Sequence, residues 1–271
     1  MNDLHRELAP ISSDAWSAID AEAKRVLQVN LAARRIVDLR GPLGPKTAAV
    51  NLGRVEKLAE KPADGVHAVL RAVQPLVELR VPFEVSRAEI DSIGRGAADP
   101  DLKPVIEAAT RMACTEDRIV FYGYPAAGIR GICPASPHKR LPISQEYEKY
   151  AGTVAEATRV LRAAGVEGPY TIALGPRCWE GLMQATARGG YPIIEMVHRV
   201  LDGRAIWAPA VDGAVVMSTK PGHFELTVGQ DLSIGYTSHT DTVIRLYLVE
   251  SLTFRSIIPE GALVLAYDAK A

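Results

Sequence analysis

The stretch that decides the fold runs Val77-Glu78-Leu79-Arg80-Val81-Pro82-Phe83-Glu84-Val85-Ser86. Apolar residues occupy every second position, which predicts a strand with one buried face. Proline cannot donate a hydrogen bond to a neighbouring strand, so Pro82 predicts a sheet edge or an extended excursion for this strand. We interpret residues 47–86 as one long hairpin whose second half is this strand.

The apolar face of this predicted hairpin has no obvious cover in the neighbouring sequence. Its middle, residues 56–66, is rich in charged residues together with Pro62 and Gly65, and is expected to be solvated. An extended apolar excursion normally requires a partner chain. The hairpin therefore favours an assembly protein over a monomeric enzyme.

The segments on either side alternate between helix and strand patterns. Apolar spacing predicts a helix from an N-cap at Ser13 to about Leu31, and a second helix from Asp99 or Asp101 to about Phe121. Beyond a Gly/Pro-rich connector, helices are expected at 145–164, 177–187 and 193–201, and strands at 169–174, 205–208 and 214–218. A strand of about 15 residues is expected near the C-terminal end, which is long for an ordinary domain. These elements predict an α+β fold with an α/β insertion.

Composition argues against several classes of protein. The chain has 271 residues, with 31 Lys and Arg against 32 Asp and Glu, so its net charge of -1 offers no general attraction to nucleic acid or to an anionic membrane. Its three cysteines lie far apart and form neither a disulfide framework nor a zinc motif. We expect a reduced, cytoplasmic protein with no signal peptide and no transmembrane helix.

The sequence carries no recognisable catalytic motif. No two of the six histidines have the spacing of a helical metal pair, and the common nucleophile and phosphate-binding motifs are absent. Cys178 follows Arg177 near the start of a predicted helix, which could lower its pKa, but no base accompanies it. Glu250 interrupts an apolar strand face, which predicts a buried cationic partner or an interface. We therefore predict no catalytic residue, no metal site and no enzymatic activity.

Short motifs follow one another in a specific order along the whole chain: Leu8-Ala9-Pro10-Ile11 with Trp16, Ala33-Arg34-Arg35-Ile36-Val37-Asp38, Leu79-Arg80-Val81-Pro82-Phe83, Gly168-Pro169-Tyr170, Gly190-Tyr191-Pro192, Trp207-Ala208-Pro209, Gly229-Gln230-Asp231-Leu232-Ser233-Ile234-Gly235-Tyr236 and Glu250-Ser251-Leu252-Thr253-Phe254. In order and spacing they resemble the encapsulin shell proteins of bacteria and archaea (family 1, also described as linocin-like).

The resemblance implies the fold of tailed-phage major capsid proteins, the Hong-Kong-97 type. It assigns residues 1–46 to an N-terminal arm and helix, 47–81 to an extended loop, 82–127 to a peripheral domain with a spine helix at 100–122, 128–222 to an apical domain, and 223–271 to the C-terminal strands of the peripheral domain. In such shells the extended loop lies across a neighbouring subunit, which would explain the uncovered hairpin.

The resemblance also implies a cytoplasmic nanocompartment of about 60 identical subunits, the smallest icosahedral class. Such a shell encloses a cargo enzyme whose C-terminal peptide docks on the inner wall. We expect a dye-decolourising peroxidase, with a ferritin-like iron-storage protein as the other common cargo. The positions that match the docking site are Leu27, Leu31, Arg34, Ile36, Asp38, Asp231, Leu232 and Ile234. The apolar positions could equally belong to the core, and Arg34 and Asp38 could pair with each other.

The family's five-fold pore loop matches Arg188, Gly189, Gly190 and Tyr191. Two glycines permit the close approach that a ring of five requires, and Arg188 would make the entrance cationic unless it is simply a solvated loop charge. Some family members bind flavin through an aromatic residue at the position of Ala88, beside Arg87, so we expect no cofactor here.

Two alternatives to an encapsulin stay open at the level of sequence. A prophage major capsid protein would share the fold but package DNA, which the near-neutral charge and the absence of a basic inner arm disfavour. Family members have also been described as proteases or bacteriocins, which the absence of a nucleophile–base pattern disfavours. The partners expected are copies of the same chain and a cargo enzyme, with no nucleic acid and no membrane.

Overall fold

The computed structural model describes residues 3–143, 146–187 and 189–267, which form two five-stranded sheets and a separate hairpin. The first sheet has the order β1-β9-β11-β10, with β4 paired to β11. Its strands are β1 (Asp38–Arg40), β4 (Val77–Ser86), β9 (Phe224–Val228), β10 (Ser233–His239) and β11 (Val243–Ser256). The 14-residue β11 confirms the long C-terminal strand, and pairing along both of its edges makes it the centre of this sheet.

The strand β4 belongs to this sheet and not to the hairpin, which corrects the sequence interpretation. It pairs antiparallel with β11, with Pro82 opposite Tyr247, and has no second partner strand in the described part of the chain. The edge position expected from Pro82 is therefore confirmed. Val81, Phe83 and Val85 are buried in one cluster with residues of three helices, so the expectation of an uncovered face was wrong for this strand.

The hairpin proper is shorter than the sequence suggested. It pairs β2 (Ala49–Lys57) with β3 (Val69–Pro75), and among the described residues neither strand joins another sheet. Val55, Val69, Leu70 and Val73 are each more than half exposed. The unburied apolar surface therefore lies on this two-stranded segment.

Two long helices cover the first sheet. Helix α1 (Ser13–Asn30) is capped by Ser12, one residue before the expected position, and α2 (Arg87–Gly94) follows β4. Helix α3 (Lys103–Tyr122) begins after Leu102, so neither predicted aspartate is its N-cap. Asp101 instead accepts a hydrogen bond from the backbone N–H of Lys103 at 3.1 Å. Apolar faces of α1 and α3 meet the sheet in one core cluster.

The second sheet has the order β5-β12-β8-β6-β7. Its strands are β5 (Leu141–Pro142), β6 (Tyr170–Leu174), β7 (Ala205–Trp207), β8 (Ala214–Ser218) and β12 (Ala262–Ala266), and the accompanying helices are α4 (Ile132–Ala135), α5 (Tyr150–Ala163), α6 (Pro176–Gln184) and α7 (Ile193–Leu201). The last strand, β12, joins this sheet and not the sheet that contains β11, which the sequence did not indicate.

The chain crosses between the two sheets three times. The crossings are residues 123–140, 219–223 and 257–261. They are hydrogen-bonded to one another, because the backbone N–H of Ile257 donates to the carbonyl of His223 at 2.8 Å and Nε2 of His138 lies 2.8 Å from the carbonyl oxygen of Glu260. One core cluster contains residues of both sheets, including Val215 and Phe254.

Candidate functional site

A groove of about 690 Å³ opens between α1, the N-terminal arm and the start of β10. Leu27 and Leu31, one turn apart on α1, form one side of its apolar floor, and Leu232, Ile234 and Leu248 form the other. A helix places residues i and i+4 on one face, and a strand places alternate residues on one face, so both elements supply apolar pairs to the same space. We call this cavity the α1–β10 groove.

Arg34 lies at the end of the α1–β10 groove and contacts three carboxylates. Its guanidinium nitrogens lie 2.8 Å from Glu116, 2.8 Å from Asp231 and 3.0 Å from Glu250. The side chains of Glu116 and Glu250 are fully buried, whereas that of Asp231 is half exposed. These contacts fix the planar guanidinium in one orientation. The buried cationic partner expected for Glu250 is therefore Arg34.

The surroundings of Glu250 favour its protonated form. Burial raises the pKa of Glu250 well above its usual range, and the neighbouring Glu116 carboxylate acts in the same direction, while Arg34 opposes both. One guanidinium faces three carboxylates, two of which are fully buried, so its charge does not offset the cost of burying Glu250 in the ionised form.

Asp117 holds the turn that carries Arg34. Its two carboxylate oxygens accept hydrogen bonds from the backbone N–H groups of Ala32 and Ala33, each at 2.9 Å. Burial raises the pKa of Asp117 to about 7, although these two hydrogen bonds act against the rise. Sequence reasoning missed both Glu116 and Asp117. The available signal was a pair of adjacent acids in the middle of an amphipathic helix.

Six of the eight predicted docking residues line the α1–β10 groove: Leu27, Leu31, Arg34, Asp231, Leu232 and Ile234. The other two do not line it. Ile36 is buried in the core cluster that contains Val120 and Phe121. Asp38 accepts a hydrogen bond from the backbone N–H of Gly222 at 2.6 Å. Arg34 is surrounded by other carboxylates, so the pairing of Arg34 with Asp38 considered from the sequence does not form.

The predicted pore loop is an exposed turn between α6 and α7. Arg188 lies outside the described residues. Gly189 and Gly190 have φ angles of +93° and +80°, a region that side chains other than glycine rarely adopt. The backbone N–H of Ala187 donates to the carbonyl of Tyr191 at 2.8 Å and closes the turn. The Tyr191 ring is 41% exposed, so it is available to a neighbouring molecule.

The cysteine considered as a nucleophile is fully buried. The Sγ of Cys178 accepts a hydrogen bond from the hydroxyl of Tyr150 at 2.9 Å and lies 3.2 Å from that of Tyr267. Burial raises its pKa, opposite to the effect considered for Arg177. Within the described ranges, no group of three or more His, Cys, Asp or Glu side chains could hold a metal ion. No helix in those ranges is long and apolar enough to cross a membrane.

Comparison with known proteins identifies the family. Residues 1–253 match the sequence profile of a family described as "Encapsulating protein for peroxidase". The type 1 encapsulin shell protein of Rhodospirillum rubrum is 51% identical over 270 residues, which cover 98% of this chain and 96% of the relative. The chain belongs to the type 1 encapsulin shell proteins. The encapsulin of Mycobacterium tuberculosis is 45% identical over 267 residues, covering 98% of this chain and all of the relative.

Solved structures confirm the capsid fold of this encapsulin. The virus-like particle of Pyrococcus furiosus matches with a TM-score of 0.67 at 14% identity, over 92% of this chain and 98% of that one. The Mycobacterium phage Cain matches with a TM-score of 0.52 at 16% identity, over 90% and 92%. Encapsulin shell proteins are structural subunits of a nanocompartment, so the prediction of a non-enzymatic shell is confirmed.

Proposed function

We propose that this encapsulin shell encloses a peroxidase, and that the α1–β10 groove binds the C-terminal peptide of that enzyme on the inner wall. The family description names a peroxidase as the enclosed protein. The groove supplies the matching geometry, because its floor is apolar and Arg34 at its end is held in one orientation. Its volume of about 690 Å³ falls within the roughly 300–1,000 Å³ of ligand pockets.

The groove supports a short extended peptide better than a folded surface. Two aliphatic side chains of a peptide can rest between the leucines of α1 and the apolar residues of β10, and each contributes ~1.5–3 kcal/mol before the cost of ordering the peptide. Arg34 and Asp231 then lie beside the peptide backbone and can orient it through hydrogen bonds. Six predicted residues that lie far apart in sequence converge on this one cavity, and that observation carries the proposal.

The second part of the proposal concerns the architecture of the shell. We infer about 60 copies in a closed icosahedron, the smallest class that this symmetry allows. We also propose that the turn at Gly189, Gly190 and Tyr191 lines a pore on the five-fold axis, because its left-handed glycines leave room for close neighbours. Arg188 next to this turn would make the pore entrance cationic.

The test is co-expression of the shell with a dye-decolourising peroxidase, with and without the C-terminal segment of that peroxidase. Intact shells are isolated, and the ratio of peroxidase to shell protein is measured on a gel. We expect removal of the segment, or Leu31→Asp in the groove, to abolish loading while shells still form. Equal loading of the truncated enzyme would overturn the proposal. A neighbouring ferritin-like protein that loads through its own C-terminal segment would replace the peroxidase as cargo.

A further inference from the structure

The N-terminal arm, residues 3–11, forms a wall of the α1–β10 groove. The backbone N–H of Tyr236 on β10 donates to the carbonyl of Leu4 at 2.8 Å, and the hydroxyl of Tyr247 donates to the carbonyl of Asp3 at 3.1 Å. The Leu4 side chain packs against Tyr247 and Val249. The first part of the arm is thus attached to the sheet side of the groove.

The next residues of the arm are attached to the helix side. Arg6 donates to Asp20 on α1 at 2.7 Å, and its guanidinium lies 3.9 Å from the centroid of the Trp16 ring, also on α1. Between the two attachments, His5 has a φ of +50°, a left-handed conformation that turns the chain sharply. Leu4 and Arg6 both line the groove. The arm therefore bridges the helix and the sheet that a docked peptide would contact.

The contacts on the helix side of the arm are ones that open easily, whereas Leu4 on the sheet side is buried. The Arg6 and Asp20 side chains are 29% and 46% exposed, and the turn Arg6–Leu8 contains no buried residue. Segments with few buried contacts and exposed hydrogen bonds have low local stability, and they are the segments that move when a ligand binds. Residues of α1 and β10 have no such freedom, because their apolar faces are part of the core.

We propose that the N-terminal arm is the adjustable wall of the docking groove, and that Arg6 is the positioning residue that holds it closed over a bound peptide. The inference rests on the proposed function and deepens it. A peptide on the apolar floor has α1 and β10 on two sides, and the arm covers it on the third. Arg6 acts through the position of the arm, since Asp20 and the Trp16 ring occupy its guanidinium.

The experiment uses assembled shells co-expressed with a fluorescent reporter that carries the C-terminal segment of a dye-decolourising peroxidase. Arg6→Ala is compared with Arg25→Ala, because Arg25 is an exposed arginine of α1 that pairs with Glu22 and does not line the groove. We expect loading at limiting reporter to fall roughly 3- to 30-fold for Arg6→Ala, the range for losing an exposed ion pair and a cation–π contact. Arg25→Ala should load like wild type.

Amide hydrogen exchange measures closure of the arm directly, and a purely structural role of Arg6 would not change it. The amide of Tyr236 is protected by the Leu4 carbonyl, so its exchange reports closure of the arm. We expect slower exchange at Tyr236 in loaded than in empty wild-type shells, and no such difference in Arg6→Ala shells. Arg6→Lys, which can still reach Asp20, should restore part of the loading.

If Arg6→Ala lowers the yield of shells, Trp16→Leu is used in its place. Trp16 forms the same attachment of the arm but does not line the groove. Reporter loading in Trp16→Leu shells then tests the role of the arm. The proposed role of the arm is overturned if Arg6→Ala and Trp16→Leu shells both load the reporter like wild type. It is also overturned if the Tyr236 amide exchanges equally fast in empty and loaded wild-type shells. A reporter that wild-type shells fail to load would instead overturn the docking function itself, so the two failures are distinguishable.

Discussion

At the scale of single residues, the Glu250 carboxyl makes the stability of the subunit depend on pH. Its pKa is raised in the folded chain by burial and by Glu116, from an ordinary value of 4.5. The folded state then binds more protons than the unfolded state, so the free energy of unfolding falls as pH rises above about 4.5 toward the folded pKa. Arg34 and half-exposed Asp231 are the other charged groups around this carboxyl.

Glu250→Gln should flatten this dependence, because the amide keeps the shape of the side chain without the charge. We expect the melting temperature of wild-type shells to decline more steeply than that of the variant as pH rises above about 4.5. Glu22→Gln is the matched control, since the Glu22 carboxylate pairs with Arg25 near the surface and has a lowered pKa. Parallel pH curves for wild type and Glu250→Gln would contradict a raised pKa of Glu250 in the folded chain.

The same cluster shows what a sequence can and cannot predict about a site. Glu250 was recognisable as an anomaly in an apolar strand, so a buried cation was expected. Its partner could not be identified, because Arg34 lies 216 positions away in the chain. Ile36 and Asp38 were assigned to the groove because their positions match the docking site of the family. The backbone turns there, and the two side chains face the core and Gly222 instead.

At the scale of elements, we expect the hairpin of β2 and β3 to contact another subunit. Leu70 is 55% exposed within this segment, and the described residues leave it uncovered. Leu70→Asp should leave the subunit folded but reduce the yield of shells several-fold, because a charge would be buried at the contact. Size-exclusion chromatography with circular dichroism measures both properties. Lys61→Ser, in the polar connection, should assemble normally.

The alternating pattern predicted the strand β4 correctly, and Pro82 predicted its edge position. The strand with which β4 pairs was assigned wrongly. An alternating pattern predicts which face of a strand is buried, but it does not predict which elements cover that face or which strand pairs with it. Pairing of β4 with β11 joins residues about 160 positions apart, such as Glu84 and Arg245, which also form an ion pair at 2.8 Å. The segment that forms the hairpin is adjacent to β4 in sequence, and β4 was therefore assigned to the hairpin.

At the scale of the whole molecule, the subunit should exist mainly in its assembled form. Purified protein is expected to elute in the megadalton range and to appear in electron micrographs as hollow spheres of uniform diameter. About 60 copies of a 29.2 kDa chain form the smallest icosahedral shell. A stable, fully folded monomer at working concentration would contradict this expectation, and native mass spectrometry would give the copy number directly.

The three crossings between the sheets determine how such a shell can change shape. Two bodies joined by one linker can rotate, whereas three linkers that are hydrogen-bonded to one another and a core shared between both bodies resist rotation. Each subunit is therefore expected to keep a constant shape. Swelling, contraction or a different curvature of the shell is then expected to come from the angles between subunits.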